Sequence, residues 1–187
     1  MKKCILMIAI MGSLILNAQQ QKDSIKQNEF KINLAYLIAG YPELIYEKLL
    51  TDETSFGVSI MFNINSNSIN ENSSNNNGTT TSSGSSIGIN FSLIPYYRVY
   101  FGKKRNEGFF VDGNLALYSQ KQTNGDFFTN EKEGGTGFGV GFGLGKKYKT
   151  KSGWIAEFTF GLTRTLINTD KIDLIYTRGG ITIGKQF

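Results

Sequence analysis

The sequence predicts an all-β protein: an eight-stranded antiparallel up-and-down transmembrane β-barrel after an N-terminal signal peptide. Three observations predict it. Beyond residue 28 the chain alternates apolar and polar side chains with period two, the signature of strands with two unlike faces. The connections between these runs are short and long by turns, as in barrels with tight turns at one rim and longer loops at the other. Aromatic residues on the apolar parity gather at the run ends beside the short connections, where a membrane interface favours them.

Composition bounds the reading. The 187 residues allow one domain and a targeting segment. The net charge of +5 is mild, and Lys and Arg are scattered with no basic stripe, so nucleic-acid binding is a poor reading. The chain has no histidine, and its one cysteine is Cys4. Ser-His-Asp and Cys-His catalysis and His-ligated metal sites are thereby excluded, and no disulfide can form within the chain. No catalytic residue, metal or other cofactor is expected.

Residues 1–18 read as a signal peptide. Lys2 and Lys3 form a positive start, 4–16 (CILMIAIMGSLIL) is the apolar run, and Ala18 suits a cleavage site. The run is shorter than the roughly 20 residues that a membrane-spanning helix needs. Residues 19–28 form a polar leader, and 29–187 the barrel.

Strands are predicted at 29–38, 41–50, 54–65, 86–102, 108–120, 135–147, 153–165 and 173–187. In the second, Leu44-Ile45-Tyr46 interrupts the alternation. In the fourth, Ile87, Ile89, Phe91, Leu93, Tyr97, Val99 and Phe101 share a parity against Gly88, Asn90, Ser92, Tyr96, Arg98 and Tyr100. The sixth sets Phe138, Val140, Phe142 and Leu144 against an unbroken row of Gly137, Gly139, Gly141, Gly143 and Gly145. That row is a strand face and not a phosphate loop, because its spacing is G-x-G-x-G and Lys147 follows Gly145-Lys146. In the seventh, Trp154, Ala156, Phe158, Phe160 and Leu162 oppose Ile155, Glu157, Thr159, Gly161 and Thr163.

The connections at 51–53, 103–107 and 148–152 are short, whereas 66–85, 121–134 and 166–172 are longer. The first connection, Ala39-Gly40, is the exception. Residues 66–85 are polar and of low complexity, suited to a solvated loop. Phe127-Phe128 in the next long loop are candidate contact residues.

A soluble barrel would show water a face rich in Lys and Glu. Here the polar parity is small and uncharged for long stretches, as the narrow interior of eight strands demands. The polar parity therefore faces the lumen and the apolar parity faces lipid. Phe30, Phe56, Phe101, Phe109, Trp154 and Phe187 then form a membrane-interface girdle at one rim. The lumen side receives Lys31, Glu43, Glu47, Arg98, Asp112, Glu157 and Arg178. Buried charges of both signs call for pairing, so these residues read as a structural ion-pair network. An acid/base pair drawn from Glu43, Glu47, Asp112 or Glu157 is the sharper alternative.

Over 29–187 the chain resembles the small OmpA/OmpX-type outer-membrane barrels and their uncharacterised outer-membrane relatives. The strand pattern carries the resemblance, with Ile181-Thr182-Ile183-Gly184-Lys185-Gln186-Phe187 and its final aromatic. Lys185 stands where such proteins commonly have an aromatic or apolar residue. The resemblance implies a monomer in the outer membrane of a Gram-negative bacterium. Its partners would be outer-membrane lipids and the barrel-insertion machinery, which would read the C-terminal strand. The function expected is non-enzymatic: a plugged barrel with a structural role or one in surface contact, such as adhesion or ligand contact through extracellular loops. A narrow pore or small-ligand carrier is the first alternative, and a lipid-modifying outer-membrane enzyme the second.

Overall fold

The computed structural model describes residues 26–64, 88–121 and 133–187. The signal segment 1–18 and most of the polar leader lie outside the described residues, as do 66–85 and Phe127-Phe128. Eight antiparallel strands close into a barrel in sequence order. They are β1 (Asn28–Asn33), β2 (Glu43–Leu49), β3 (Thr54–Phe62), β4 (Ile89–Phe101), β5 (Gly108–Gln120), β6 (Gly135–Lys149), β7 (Trp154–Thr165) and β8 (Ile175–Gln186). Closure joins β1 to β8, in a register running from Glu29↔Gln186 to Asn33↔Thr182. The longest ladder joins β5 to β6, from Gly108↔Lys147 to Gln120↔Gly135.

The first predicted strand needs correction. It stops at Asn33, and Leu34–Ile38 form a short helix, α1. The Asn33 side chain accepts the amides of Ala35 at 3.1 Å and Tyr36 at 3.4 Å, the bonds of an N-cap. Gly40, at φ 86°, ends the helix, and its N–H donates to Leu37 O at 3.2 Å. The wall beside the upper half of β8 is therefore closed by α1, where Gly179 N–H donates to the Tyr36 hydroxyl at 3.2 Å. The first connection is thus a capped helix and not a two-residue turn. In β2 the side chains still alternate: Ile45 is buried in the lumen between the outward Leu44 and the exposed Tyr46. Asn28, assigned to the leader, is already part of β1, and Gln27 O accepts Leu49 N–H at 2.7 Å.

The tight turns share one rim and are bonded to each other. Asn106, at φ 47°, is wholly buried, and its side chain donates to Thr51 O at 2.9 Å, tying the β4–β5 turn to the β2–β3 turn. Thr150 Oγ1 accepts Trp154 N–H at 3.0 Å and so folds the β6–β7 turn.

The strands alternate in burial, one parity inward and the next outward, except at a bulge in β4 between Ile89 and Phe91, which turns Ile89, expected on the outward parity with Phe91, into the interior. The interior has two tiers. Towards the tight turns it holds charged side chains. Towards the other rim it holds an apolar and tyrosine cluster of Tyr41, Met61, Ile94, Tyr118, Ile172 and Tyr176, with their neighbours. Tyr118 stacks on Tyr176 with ring centroids 4.9 Å apart.

Candidate functional site

The lumen is the candidate site, and Glu47 on β2 is its hub. The carboxylate accepts from Lys31 Nζ and the Tyr100 hydroxyl, from Ser55 Oγ at 2.6 Å and from the Tyr96 hydroxyl at 2.9 Å. Lys147 Nζ at 3.2 Å and Arg98 Nη1 at 3.3 Å complete its shell. Glu157 on β7 accepts from Lys31 Nζ and from Arg98 Nη1, each at 2.9 Å. Asp112 on β5 takes Arg178 Nη2 at 2.5 Å and Arg98 Nη2 at 3.3 Å. All of these charged groups are buried.

One predicted member does not join the ion pairs. Glu43 is buried in the lumen, yet its carboxylate takes neutral donors, Asn33 Nδ2 at 2.7 Å and Ser59 Oγ. It stands beside the end of β1, further from the tight turns than Lys31 and Glu47. Two further members escaped the sequence reading, Glu29 and Lys147, each fully buried and joined at 2.6 Å. Parity alone could have found both. Glu29 shares the face of Lys31, and Lys147 continues the glycine row of β6. The inward set is thus five carboxylates (Glu29, Glu43, Glu47, Asp112, Glu157) and four cations (Lys31, Arg98, Lys147, Arg178).

The glycine row makes room for this network. A Cβ at Gly143 would lie 2.7 Å from Asp112 Oδ1, and one at Gly145 would lie 2.4 Å from the Phe110 ring. At Gly137 it would meet Ile172 Cδ1 at 2.0 Å. Side chains rooted elsewhere therefore lie flat against the backbone of β6. Phe110 in turn carries the Arg98 guanidinium 3.6 Å above its ring. Tyr96 fills the wall at Gly57, where a Cβ would come within 2.3 Å of the ring.

Little space remains. Among the described residues the gap beside Arg98, Glu157, Arg178 and Thr182 measures about 20 Å³, room for about one water. Apart from Glu29 Oε1, which has no hydrogen-bond partner, the acidic oxygens are taken by donors mostly from other strands, an arrangement that holds strands together. No group of three acidic side chains among the described residues is placed to hold a metal ion.

The outer wall is the opposite of the lumen. Its residues include Phe142, Leu144, Phe158 and Phe160, each at least half exposed. Phe56, Phe101, Phe109, Trp154 and Phe187 are exposed at the tight-turn end, and Phe30 is half-buried there. Tyr46, Tyr97 and Tyr148 join the same belt. No helix among the described residues is long and apolar enough to cross a membrane, which does not bear on strands.

No family model matches the chain, and no curated protein matches it. The crystal structure of the N-terminal β-barrel domain of Pseudomonas aeruginosa OprF is similar to it, at 13% identity and a TM-score of 0.49. The match covers 86% of this chain and 96% of that one.

Proposed function

We propose that the chain is a monomeric, non-enzymatic barrel of the outer membrane, closed by its own lumen side chains, with a structural or surface-contact role. The observation that carries this reading is the inverted polarity of the wall. The five strand carboxylates all point inward into hydrogen bonds, while large apolar side chains point out and stay exposed. Water on that outer face would be a large cost, because soluble monomers seldom expose contiguous apolar patches beyond a few hundred Å². Lipid removes the cost, and a closed barrel satisfies the backbone where no water can. Strands β4 to β8, of 12 to 15 residues, exceed the roughly 9–11 that a tilted transmembrane strand needs. β1 has six residues, and α1 continues the wall above it.

The network and the roughly 20 Å³ left beside it support a closed state. The test is conductance. Purified protein in planar bilayers is expected to insert without steady ion current. Regular conductance steps in the wild type, unchanged by Arg98→Ala, would overturn the closed reading in favour of a narrow pore.

A further inference from the structure

On the described strands cations lie on both faces of the wall, but acids lie on one only. Each carboxylate in the described strands faces the lumen, whereas the outward charged residues are all cations: Lys48, Lys146, Arg164 and Lys185. Three of these, the lysines, lie at the tight-turn end, inside the aromatic belt. Lys146 Nζ sits 4.7 Å from the Phe109 ring and 4.9 Å from the Tyr148 ring. Lys185 Nζ sits 4.9 Å from the Trp154 ring. Neither lysine has an ion pair among the described residues; their ammonium groups rest on aromatic faces.

Between them is a groove. In register, Ala156 on β7 stands between Tyr148 on β6 and Ile183 on β8. The missing side-chain volume at Ala156 opens an outer depression of about 360 Å³, also bordered by Trp154 and reaching Glu107 at the turn rim. The two charged residues that line it at the turn rim are both engaged, Glu107 by Lys104 Nζ at 3.3 Å and Lys149 Nζ by Arg105 O at 3.0 Å. The groove is therefore apolar along the barrel, with an ammonium on the aromatic at each flank.

We propose that this groove binds one anionic phospholipid, an acyl chain lying over Ala156 and Ile183 and the headgroup phosphate held by Lys146 and Lys185. The inference rests on the membrane reading given above. Two unpaired cations over an apolar slot match a molecule with an anionic head and an apolar tail, and the aromatic belt sets the height of the head at the interface. Long lysine stems bring the ammonium to that height while their methylenes cover the wall.

Trp154 is the one tryptophan of the chain and borders the groove, so its fluorescence reports occupancy. The full chain is reconstituted in phosphatidylcholine bilayers with chain-brominated phosphatidylglycerol or chain-brominated phosphatidylcholine at equal mole fraction. The brominated anionic lipid is expected to quench Trp154 with an association constant about five-fold higher per engaged lysine. Lys146→Gln with Lys185→Gln should abolish the preference and keep quenching by the zwitterionic lipid, and Lys48→Gln should leave the preference intact. Equal quenching by both lipids in the wild type would overturn the site and leave the membrane reading standing. Equal loss in Lys48→Gln would reduce it to diffuse surface charge. Quenching by neither lipid would overturn both readings.

Discussion

Lys147 on β6 and Glu29 on β1 meet across the lumen, Nζ to Oε2 at 2.6 Å, with no exposure on either side chain. The strands they come from are not neighbours in the sheet, so the contact braces the barrel across its width. Lys147→Ala strips Glu29 of its near cation and Glu47 of one donor. Breaking a buried pair from one side costs about 3–5 kcal/mol, because the remaining charge is stranded. The expected result is a clear fall in the urea midpoint of the refolded barrel, followed by its heat-modifiable gel shift. Lys147→Met combined with Glu29→Gln should recover a substantial part of the loss. A double variant as weak as Lys147→Ala would show that the pairing is not what matters there.

Sidedness is tested on two strands. Phe142 points outward from β6 and is 54% exposed. In a bilayer, Phe142→Arg puts a charge against lipid, at about 2–4 kcal/mol near the midplane. Thr159→Ser keeps the hydroxyl that donates to Glu157 at 3.1 Å and should be nearly silent. Folding yield into lipid vesicles separates the two. Equal tolerance would remove the case for lipid on the outer wall.

How far these features were legible varied with their physics. Parity carries direction, so the inward glycines and outward phenylalanines of β6 could be read without coordinates. Strand order and closure needed the connection lengths and the aromatic rim beside the alternation. Pairing across the lumen could not be read, because it depends on strand tilt and stagger, which set the height of each side chain. Glu43 has the parity of Glu47, yet it ends among neutral donors. Glu29 and Lys147 were hidden by position, at strand ends where charge looks like turn chemistry. The helix at Leu34–Ile38 was masked by its apolar run, although Asn33 before it and Gly40 after it are start and stop signals.

Glycines on the two faces of the wall should respond oppositely. A Cβ at Gly145 would fall 2.1 Å from Phe158 O, a backbone atom of the next strand that cannot yield. At Gly113, on the outer parity of β5, a Cβ meets nothing within 4 Å. Gly145→Ala is expected to cost about 1–3 kcal/mol as overpacking, with Gly113→Ala near neutral or slightly stabilising. Chemical denaturation of both variants provides the comparison. A neutral Gly145→Ala would mean that the lumen is looser than its contacts imply.

Asn33 links the helix to the lumen and gives the last prediction. Its Oδ1 caps α1 through the Ala35 and Tyr36 amides, while its Nδ2 donates to Glu43 at 2.7 Å and to Gly179 O at 3.3 Å. The two halves of one amide therefore hold the helix to the end of β1 and hold β8 to the seam that the helix closes. Asn33→Ala loses the cap, about 0.5–2 kcal/mol, and leaves Glu43 with Ser59 as its remaining side-chain donor. Asn33→Asp separates the roles, since a carboxylate caps a helix as well as an amide does but cannot donate to Glu43. It also sets two acids together in a buried site, where protonating one would relieve the repulsion. The Asp variant should therefore be weaker than wild type at neutral pH and regain stability as the pH falls towards 5, a trend that Asn33→Ala should lack. Denaturant midpoints of the three proteins across that range decide the matter. Parallel pH profiles for the two variants would show that the cap alone accounts for Asn33.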